Sequence, residues 1–315
     1  MESIIFGSAG FIGKHLIETL DSGFKCFDLN TNSKANFCDV REPINIELES
    51  KVNTIFNFAA VHTTPGHEYQ EYFETNIKGA ENICEFARIN NINTIIFTSS
   101  IAPYGTWEDE KTEDSLPLPT SAYGISKLLA EEIHKRWQLE KPNERRLIIL
   151  RPGVVFGKGE KGNFTRLYNA ISKGKFFYPG RRDTKKSSIY VKDLVHLMLE
   201  MEKREKPGIH LYNMVYTPNH TIENICELIA IVASLKKPRI LIPSFLLKFV
   251  AYIINILGKI IGQSLDGIHP ERVKKLMIST NINGNKVLKN GYVFKFTLES
   301  AIQDWLNDCN KKGLY

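Results

Sequence analysis

Short apolar runs alternate with amphipathic stretches along the first half of the chain. The apolar runs are rich in β-branched and aromatic residues and predict strands at residues 3–6, 24–28, 54–58, 94–99 and 147–150. The stretches between them carry apolar residues at helical spacing and predict helices near residues 10–20, 70–90 and 123–141. Because strands that alternate with helices form parallel sheets covered on both faces, we expect an α/β fold with a Rossmann-type, doubly wound parallel sheet.

The pattern changes after about residue 153. Gly, Lys and Arg cluster through residues 157–186, and the regular alternation stops. We therefore expect residues 1–153 to form the Rossmann domain. We expect residues 154–315 to form mainly a smaller C-terminal lobe that binds substrate, with the chain returning to the main sheet near residues 188–196.

A strongly apolar stretch occupies residues 243–262. A membrane-spanning helix needs roughly 20 predominantly apolar residues, and Lys248, Asn255 and Lys259 interrupt this stretch. Two interpretations stay open. The first is a helix half-buried in the second lobe, and the second is a helix on a bilayer surface with its lysines towards the lipid headgroups.

Composition narrows the class of protein. The chain has 315 residues, a formal net charge of +6 and 43% hydrophobic residues, which excludes a disordered chain. Its Lys and Arg residues are spread along the sequence without a nucleic-acid motif, so we expect no nucleic-acid partner. The five cysteines are scattered without a CxxC pair, and no secretory signal opens the chain, which predicts a cytoplasmic protein without a disulfide framework or a metal site.

A glycine-rich segment follows the first predicted strand and opens the first predicted helix. Its glycines are Gly7, Gly10 and Gly13, and Phe11 and Ile12 begin the helix. Glycines let the backbone approach a pyrophosphate closely, and the free N–H groups at a helix N-terminus stabilise its charge. The strand before and the helix after this segment therefore predict a dinucleotide site.

Asp28 ends the second predicted strand, 21 positions after Gly7. In dinucleotide folds, an acidic group at about this spacing accepts hydrogen bonds from the adenosine ribose and repels a 2′-phosphate. No arginine directly follows Asp28, so the sequence predicts NAD rather than NADP.

The GxxGxxG spacing resembles that of the extended short-chain dehydrogenase/reductase family, which includes NAD-dependent epimerases and dehydratases. Four further segments carry the resemblance: CDVR at 38–41, NFAA at 57–60, NIKG at 76–79 and RPG at 151–153. The resemblance implies further cofactor-binding residues, which are Asp39, Val40, Ala59, Ala60 and Asn76, and it implies NAD as the cofactor.

Tyr123 and Lys127 form a YxxxK pair on the third predicted helix. Residues i and i+4 lie on one helical face, so both side chains point into the same cleft. A free tyrosine has a pKa near 10, but a neighbouring cation, helped by the positive nicotinamide ring, favours the phenolate. Tyr123 would then take a proton from a sugar hydroxyl while hydride leaves the same carbon for NAD. By the resemblance, Lys127 also holds the nicotinamide ribose.

The run FTSSIAPYG at residues 97–105 resembles the family's segment of three hydroxyl residues followed by Tyr-Gly. The resemblance places the catalytic hydroxyl at Ser100, where it would also bind the substrate oxygen. The 4,6-dehydratases of the family carry an Asp-Glu pair directly after this hydroxyl. Ile101 and Ala102 hold those positions and cannot carry a proton, which argues against a dehydratase.

The family grips the diphosphate of its substrate with an Asn and an Arg. The matching positions hold Asn163 and Lys186. Because lysine binds phosphate as a point charge rather than as a planar fork, Arg181 or Arg182 can substitute for the missing arginine. The implied partner is a nucleotide-diphosphate or polyprenyl-diphosphate sugar.

The chain also resembles a bacterial group of N-acetylglucosamine 4-epimerases from O-antigen and capsule biosynthesis. This resemblance implies an NAD-dependent sugar 4-epimerase, and because relatives are often dimers, we expect a homodimer. The apolar stretch at residues 243–262 would suit a lipid-linked substrate presented to a cytoplasmic enzyme at the inner face of the membrane. A 4-keto-sugar reductase of deoxysugar biosynthesis, which would use the same residues, is the alternative. A steroid-like or dihydroflavonol-like dehydrogenase and a non-catalytic dinucleotide sensor carry less weight.

Overall fold

A parallel sheet of seven strands forms the centre of the structure, a computed structural model that describes residues 2–31, 35–62, 67–106, 108–247, 277–310 and 312–315. In chain order the strands are β1 (Glu2–Phe6), β2 (Phe24–Asp28), β3 (Asn36–Phe37), β4 (Val52–Asn57), β5 (Thr94–Thr98), β6 (Arg146–Pro152), β7 (Val154–Phe156), β8 (Tyr178–Pro179), β9 (Lys185–Lys186), β10 (Ser188–Tyr190), β11 (Gly208–Met214), β12 (His220–Thr221) and β13 (Leu241–Ile242). The central sheet has the order β11-β6-β5-β4-β1-β2-β3, and all its neighbouring strands are parallel.

Helices follow most strands of this sheet. In the described part of the chain they are α1 (Phe11–Thr19), α2 (Tyr69–Phe73), α3 (Gly79–Ile89), α4 (Ala122–Leu139), α5 (Asn163–Ser172), α6 (Val191–Arg204), α7 (Ile222–Val232), α8 (Asn285–Lys289) and α9 (Leu298–Asp308). A π-helical turn, Glu74–Lys78, joins α2 to α3, and a 3-10 turn, Ala102–Tyr104, follows β5. None of these helices combines the length and the apolar character needed to cross a bilayer.

The central strands of the sheet are buried on both faces because they carry consecutive apolar residues rather than alternate ones, as at residues 4–6 of β1 and 147–150 of β6. Ile4 and Phe6 pack on one face with residues of α3 and α4, whereas Ile5 packs on the other with residues of α1 and α6. The predicted doubly wound α/β fold is therefore confirmed, and each predicted strand and helix of the first half is present within a few residues of its expected bounds.

The order of the strands creates a crevice at one end of the sheet. β1 has β2 on one side and β4 on the other, so the chain continues from β1 towards one edge and later returns to build the other half. Ligands of doubly wound folds bind at such a switch point, outside the carboxyl ends of the strands. This topology places the residues that follow β1 and β4 at the candidate site.

The second lobe has its own apolar core, in which Phe156 stacks on Phe164 and contacts Trp305 of α9.

The return of the chain differs from the expectation for residues 188–196. β10 pairs with β7 in a separate two-stranded sheet, while the strand that joins the central sheet is β11, beside β6. α6, which begins directly after β10, nevertheless packs on the central sheet. The domain division at residue 153 stays a prediction.

The apolar stretch predicted at residues 243–262 lies outside the described residues from residue 248 onward. Its first part, residues 243–247, follows β13 directly. The choice between a half-buried helix and a surface helix therefore stays a prediction.

Candidate active site

Glycines bring the end of β1, the start of α1 and the end of β4 into close contact. Gly7 adopts a φ of +78°, and a Cβ on it would lie 2.6 Å from the backbone nitrogen of Ala59. A Cβ on Gly13 would lie 2.6 Å from the carbonyl oxygen of Gly7. The first turn of α1 therefore packs directly on the loop, an approach that only glycine permits.

The N-terminus of α1 suits an anionic group such as a pyrophosphate. Gly10 precedes the helix, none of the described side chains caps it, and its first turn, which includes Phe11 and Ile12, carries no acidic residue. The first N–H groups of a helix lack partners within the helix and carry a partial positive charge. The residues predicted to hold a dinucleotide thus form a backbone cradle whose shape and charge fit that group.

Asp28 lies beside this loop, at the carboxyl end of β2. Its carboxylate accepts hydrogen bonds from the backbone N–H groups of Ala9 and Asn30, both at 2.9 Å. A carboxylate can accept about four hydrogen bonds, so Asp28 retains acceptor capacity for ribose hydroxyls while the loop holds it in place.

Asp39 and Val40 lie next to α3. The guanidinium of Arg41 donates to the Asp39 carboxylate at 2.6 to 3.0 Å, and this hydrogen bonding lowers the pKa of Asp39. Val40 is buried, and a Cβ on Gly79 would lie 2.9 Å from its Cγ2. The two residues are fixed in place by their own neighbours, and their contact with the cofactor stays a prediction.

Asn76 connects the segment after β4 to the catalytic helix. Its Oδ1 accepts from the N–H of Val61 at 2.9 Å, and its Nδ2 donates to the carbonyl of Val61 at 3.1 Å and to Oγ of Ser126 at 2.9 Å. Both amide protons are therefore engaged. The residue lies in the π-helical turn, a geometry frequent at functional sites, and its side chain positions other groups.

The predicted pair Tyr123 and Lys127 lies on the inner face of α4, as the i, i+4 spacing requires. The Ser121 side chain caps this helix by accepting from the N–H of Gly124 at 3.1 Å. Glu131 and His134 continue the same face, and both are fully buried. Tyr123, Lys127, Glu131 and His134 follow one another at intervals of four, four and three residues, which places them on one face of α4. This helical spacing could have identified Glu131 and His134 from the sequence, although the YxxxK motif does not include them.

Ser100 meets Tyr123 where the loop after β5 packs on the start of α4. A Cβ on Gly124 would lie 2.7 Å from the carbonyl oxygen of Ala102, so the glycine after Tyr123 permits this contact. The Ser100 hydroxyl accepts from the N–H of Ala102 at 3.1 Å and forms a side-chain hydrogen bond with Tyr123. The structure thus brings Ser100 into contact with Tyr123, one turn of α4 from Lys127, and the catalytic roles of the three residues stay predictions.

Burial controls the charges of this group. It raises the pKa of Tyr123, and the hydrogen-bonding Ser100 hydroxyl only partly opposes this effect. It also lowers the pKa of Lys127 to about 7, against the attraction of Glu131. The side chains of this chain therefore leave Tyr123 protonated, and the phenolate predicted from the sequence needs a further positive charge bound beside it.

A buried ion pair that the sequence did not reveal lies beneath the catalytic residues. Arg151 of β6 donates to both oxygens of Glu131, at 2.9 and 2.6 Å, and the two side chains are 2% and 0% exposed. Ser99 donates to the same carboxylate at 2.5 Å. The guanidinium also lies 4.6 Å from the centre of the Tyr104 ring. The Glu131 carboxylate of α4 thus binds both the loop after β5, through Ser99, and β6, through Arg151.

The basic residues of the predicted substrate side separate into two groups. Lys186 donates to the carbonyl of Ile278 at 2.8 Å, and burial lowers its pKa to about 8. Arg181 adds to that lowering, and its guanidinium donates to Glu108, in the loop that follows Tyr104, at 2.6 Å.

Arg182 instead pairs with Glu223 of α7 at 3.0 Å and stacks on the ring of Tyr178 at 5.0 Å. Asn163 is exposed at the first position of α5. The contacts therefore associate Arg181, rather than Arg182, with Lys186, and the roles of all these residues in substrate binding stay predictions.

Comparisons with known proteins identify the family of the chain. The model of the NAD dependent epimerase/dehydratase family matches residues 3–214. The N-acetyl-alpha-D-glucosaminyl-diphospho-ditrans,octacis-undecaprenol 4-epimerase of Escherichia coli O157:H7 is 28% identical over 306 residues, which are 95% of this chain and 92% of that protein.

Solved structures share the fold. The UDP-N-acetylglucosamine 4-epimerase of Bacillus cereus superposes with a TM-score of 0.73 at 17% identity, over 98% of this chain and 96% of that one. The UDP-glucuronic acid 4-epimerase of Bacillus cereus in complex with NAD superposes with a TM-score of 0.71 at 18% identity, over 98% and 99% of the two chains.

The glycine cradle yields the first prediction. Gly7→Ala should weaken NAD binding at least about tenfold, because the new Cβ would meet the backbone of Phe58 and Ala59 at 2.6 Å. Gly174→Ala is the matched control, since Gly174 has a φ of +64° but nothing within 4 Å of its Cβ position. The control carries only the strain of a left-handed residue, about 1–2 kcal/mol. NAD titration by calorimetry and urea unfolding measure both effects, and wild-type affinity in Gly7→Ala would contradict the argument.

The buried ion pair yields the second prediction. Glu131→Gln and Arg151→Met should each lower the free energy of unfolding by about 3–5 kcal/mol, because each leaves the opposite charge buried without its partner. The double variant should cost less than the sum of the single variants, as urea unfolding can measure. Glu132→Gln removes the partly exposed pair with Lys135 on the same helix and should cost no more than about 1 kcal/mol. Strictly additive costs would show that the two charges do not support each other.

Proposed function

The chain belongs to the NAD dependent epimerase/dehydratase family, and we propose that it is a 4-epimerase of a diphosphate-linked hexose or N-acetylhexosamine. The observation that carries the proposal is the contact of Ser100 with Tyr123, on the helical face that also carries Lys127. Ile101 and Ala102, which follow Ser100, supply no group for the elimination of water. Epimerisation needs only a reversible transfer of one proton and one hydride at a single carbon.

We assign the binding of NAD to three groups of this chain. The backbone cradle from Gly7 to Gly13 would hold the pyrophosphate, Asp28 the adenosine ribose and Lys127 the nicotinamide ribose. When bound, NAD supplies the acceptor that takes hydride from the sugar C4 and returns it to the opposite face.

Tyr123 handles the proton of this reaction. Its phenolate takes the proton from the sugar O4 as the carbonyl forms, and its phenol returns that proton when the carbonyl is reduced. Ser100 donates a hydrogen bond to the same oxygen and keeps it next to Tyr123. Lys127 is 2% exposed. Its ammonium form, together with the positive nicotinamide ring of bound NAD, would favour the phenolate during transfer.

The diphosphate is the substrate feature that the relatives share. By its name, the Escherichia coli relative acts on a sugar joined through diphosphate to undecaprenol, and the Bacillus cereus enzymes act on UDP-sugars. In this chain, Lys186 and Arg181 lie together on the side of the second lobe, and Asn163 is exposed at the start of α5. We assign the diphosphate to these residues and place the enzyme in the cytoplasm, in the synthesis of a bacterial surface polysaccharide such as O-antigen.

We also propose a homodimer joined through the outer faces of α3 and α4. Three large apolar residues are exposed there, namely Ile89 at the end of α3 and Leu129 and Leu139 of α4. An ion pair between Arg88 and Glu140 fixes the two helices against each other. A second copy that packs its own α3 and α4 on this surface would bury these side chains.

The epimerase is tested with purified protein, UDP-N-acetylglucosamine and catalytic NAD, without added NADH. We expect the galacto isomer to form with no net change at the NADH absorbance band. Tyr123→Phe should reduce turnover by at least about a hundredfold, because it removes the acid–base group and leaves the fold intact. Chromatography of the sugar products measures both.

Consumption of stoichiometric NADH with a 4-keto-6-deoxy sugar, and no isomer from UDP-N-acetylglucosamine, would replace the epimerase with a 4-keto-sugar reductase. If neither soluble substrate reacts, the undecaprenyl-diphosphate sugar is the substrate to assay. Wild-type turnover in Tyr123→Phe would remove Tyr123 from the mechanism.

The dimer is tested by light scattering after size exclusion. We expect twice the mass of the chain for the wild type and the mass of one chain for Ile89→Glu combined with Leu129→Glu. Charged side chains there cannot be buried without partners. Val293→Glu, at another exposed apolar residue, should leave the dimer intact, and a monomeric wild type would contradict the proposal.

A further inference from the structure

Two short segments of similar composition lie side by side on the second lobe. β8 and β13 pair in parallel, with Tyr178 opposite Leu241, and the N–H of Tyr178 donates to the carbonyl of Ile240 at 2.8 Å. The segment before β8 reads Lys-Gly-Lys-Phe-Phe at residues 173–177, and the segment that leads into β13 reads Lys-Lys-Pro-Arg-Ile at residues 236–240. Both have basic residues first and apolar residues next. The hydrogen bond from Tyr178 to Ile240 therefore brings Phe177 and Ile240, the residues directly before the two paired strands, close together.

The apolar part of this surface is exposed. Five large side chains in these segments and just after β13 have high exposed fractions: Phe177 38%, Ile240 61%, Leu241 40%, Phe245 72% and Leu246 43%. Single exposed apolar residues are ordinary, whereas a contiguous group marks an interaction surface. Tyr178, between the two segments, is fully buried in the core of the second lobe and anchors them.

The basic part of the surface has little compensating charge. Lys173, Lys175, Lys236 and Arg239 are exposed, and within the described chain none of these four forms an ion pair. Lys237 is the exception, with Glu227 at 3.4 Å. We name the exposed apolar and basic residues of 173–177, 236–241 and 245–246 the basic–apolar surface.

We propose that the basic–apolar surface binds the anionic face of a lipid bilayer. Its cations lie next to its apolar side chains, so phosphate headgroups can meet the lysines while the apolar groups enter the boundary between headgroups and acyl chains. Each Lys or Arg near an anionic leaflet contributes about 1 kcal/mol. A protein partner of purely apolar character would leave these cations without a counter-charge, and nucleic acid would leave the five apolar side chains unused.

The position of this surface connects it with the substrate. β8 leads directly into Arg181 and Lys186, and Arg182 stacks on the ring of Tyr178. A diphosphate sugar with a lipid tail could thus present its diphosphate to Lys186 while the tail stays in the bilayer. This last connection rests on the proposed function, whereas the binding of the bilayer does not.

The experiment is co-sedimentation of the full chain with vesicles of phosphatidylcholine alone and with vesicles that contain phosphatidylglycerol. We expect binding to the anionic vesicles that weakens as salt is added, because salt screens the headgroup charges. Lys173→Glu combined with Lys175→Glu should weaken this binding at least about tenfold, as the contribution of each cation predicts. Ile240→Ser combined with Phe245→Ser should also weaken binding to the anionic vesicles, because it removes two of the apolar side chains that would enter the bilayer.

The controls are Lys289→Glu and Val293→Ser, which change an exposed cation and an exposed apolar residue elsewhere and should bind as the wild type does. All variants should convert soluble UDP-sugar at the wild-type rate, which separates a failure of the surface from a failure of the fold or of the proposed reaction. Wild-type protein that stays in the supernatant with anionic vesicles would overturn the proposal. Variants of the surface that pellet with the vesicles as the wild type does would also overturn it. If these variants instead change a dimer to a monomer in light scattering, the surface binds a second copy of the chain and the proposal is wrong.

Discussion

Beneath the catalytic groups, a carboxylate and a guanidinium that water hardly reaches hold three segments of the chain together. Glu131 receives hydrogen bonds from Arg151 and Ser99, and it projects from the same face of α4 as Lys127. Charges in such a place are costly to desolvate, and they persist only when each has its partner. The loop that carries Ser100 and the helix that carries Tyr123 therefore share one anchor, and their relative position is set by buried electrostatics.

Close approaches of the backbone set the remaining distances of the site. Gly7 lets the loop after β1 lie against the end of β4, and Gly124 lets the loop after β5 lie against the start of α4. In both places a single methyl group would separate two elements that must touch. At both the cofactor cradle and the start of α4, a glycine without a side chain leaves room for two segments of backbone to pack directly against each other.

The sequence predicts those features that depend on local periodicity. Continuous apolar strands and amphipathic helices indicate the doubly wound sheet, and the i, i+4 spacing correctly places Tyr123 and Lys127 on one face. It does not predict pairings between distant segments, such as Glu131 with Arg151. Nor does it show that β10 pairs with β7, because a three-residue apolar strand suits either sheet. The sequence also does not show that Arg182 pairs with Glu223, because that contact depends on α7, which lies elsewhere in the sequence.

The hydrogen bonds of Asn76 have a thermodynamic consequence. One amide group holds the backbone of Val61, beside the crevice, and the hydroxyl of Ser126, between Tyr123 and Lys127. Order imposed at either end of this bridge lowers the entropy that remains to be lost at the other. Coupling free energies are reciprocal, so a contact that fixes Val61 and a contact that fixes Ser126 support each other through the single Asn76 amide.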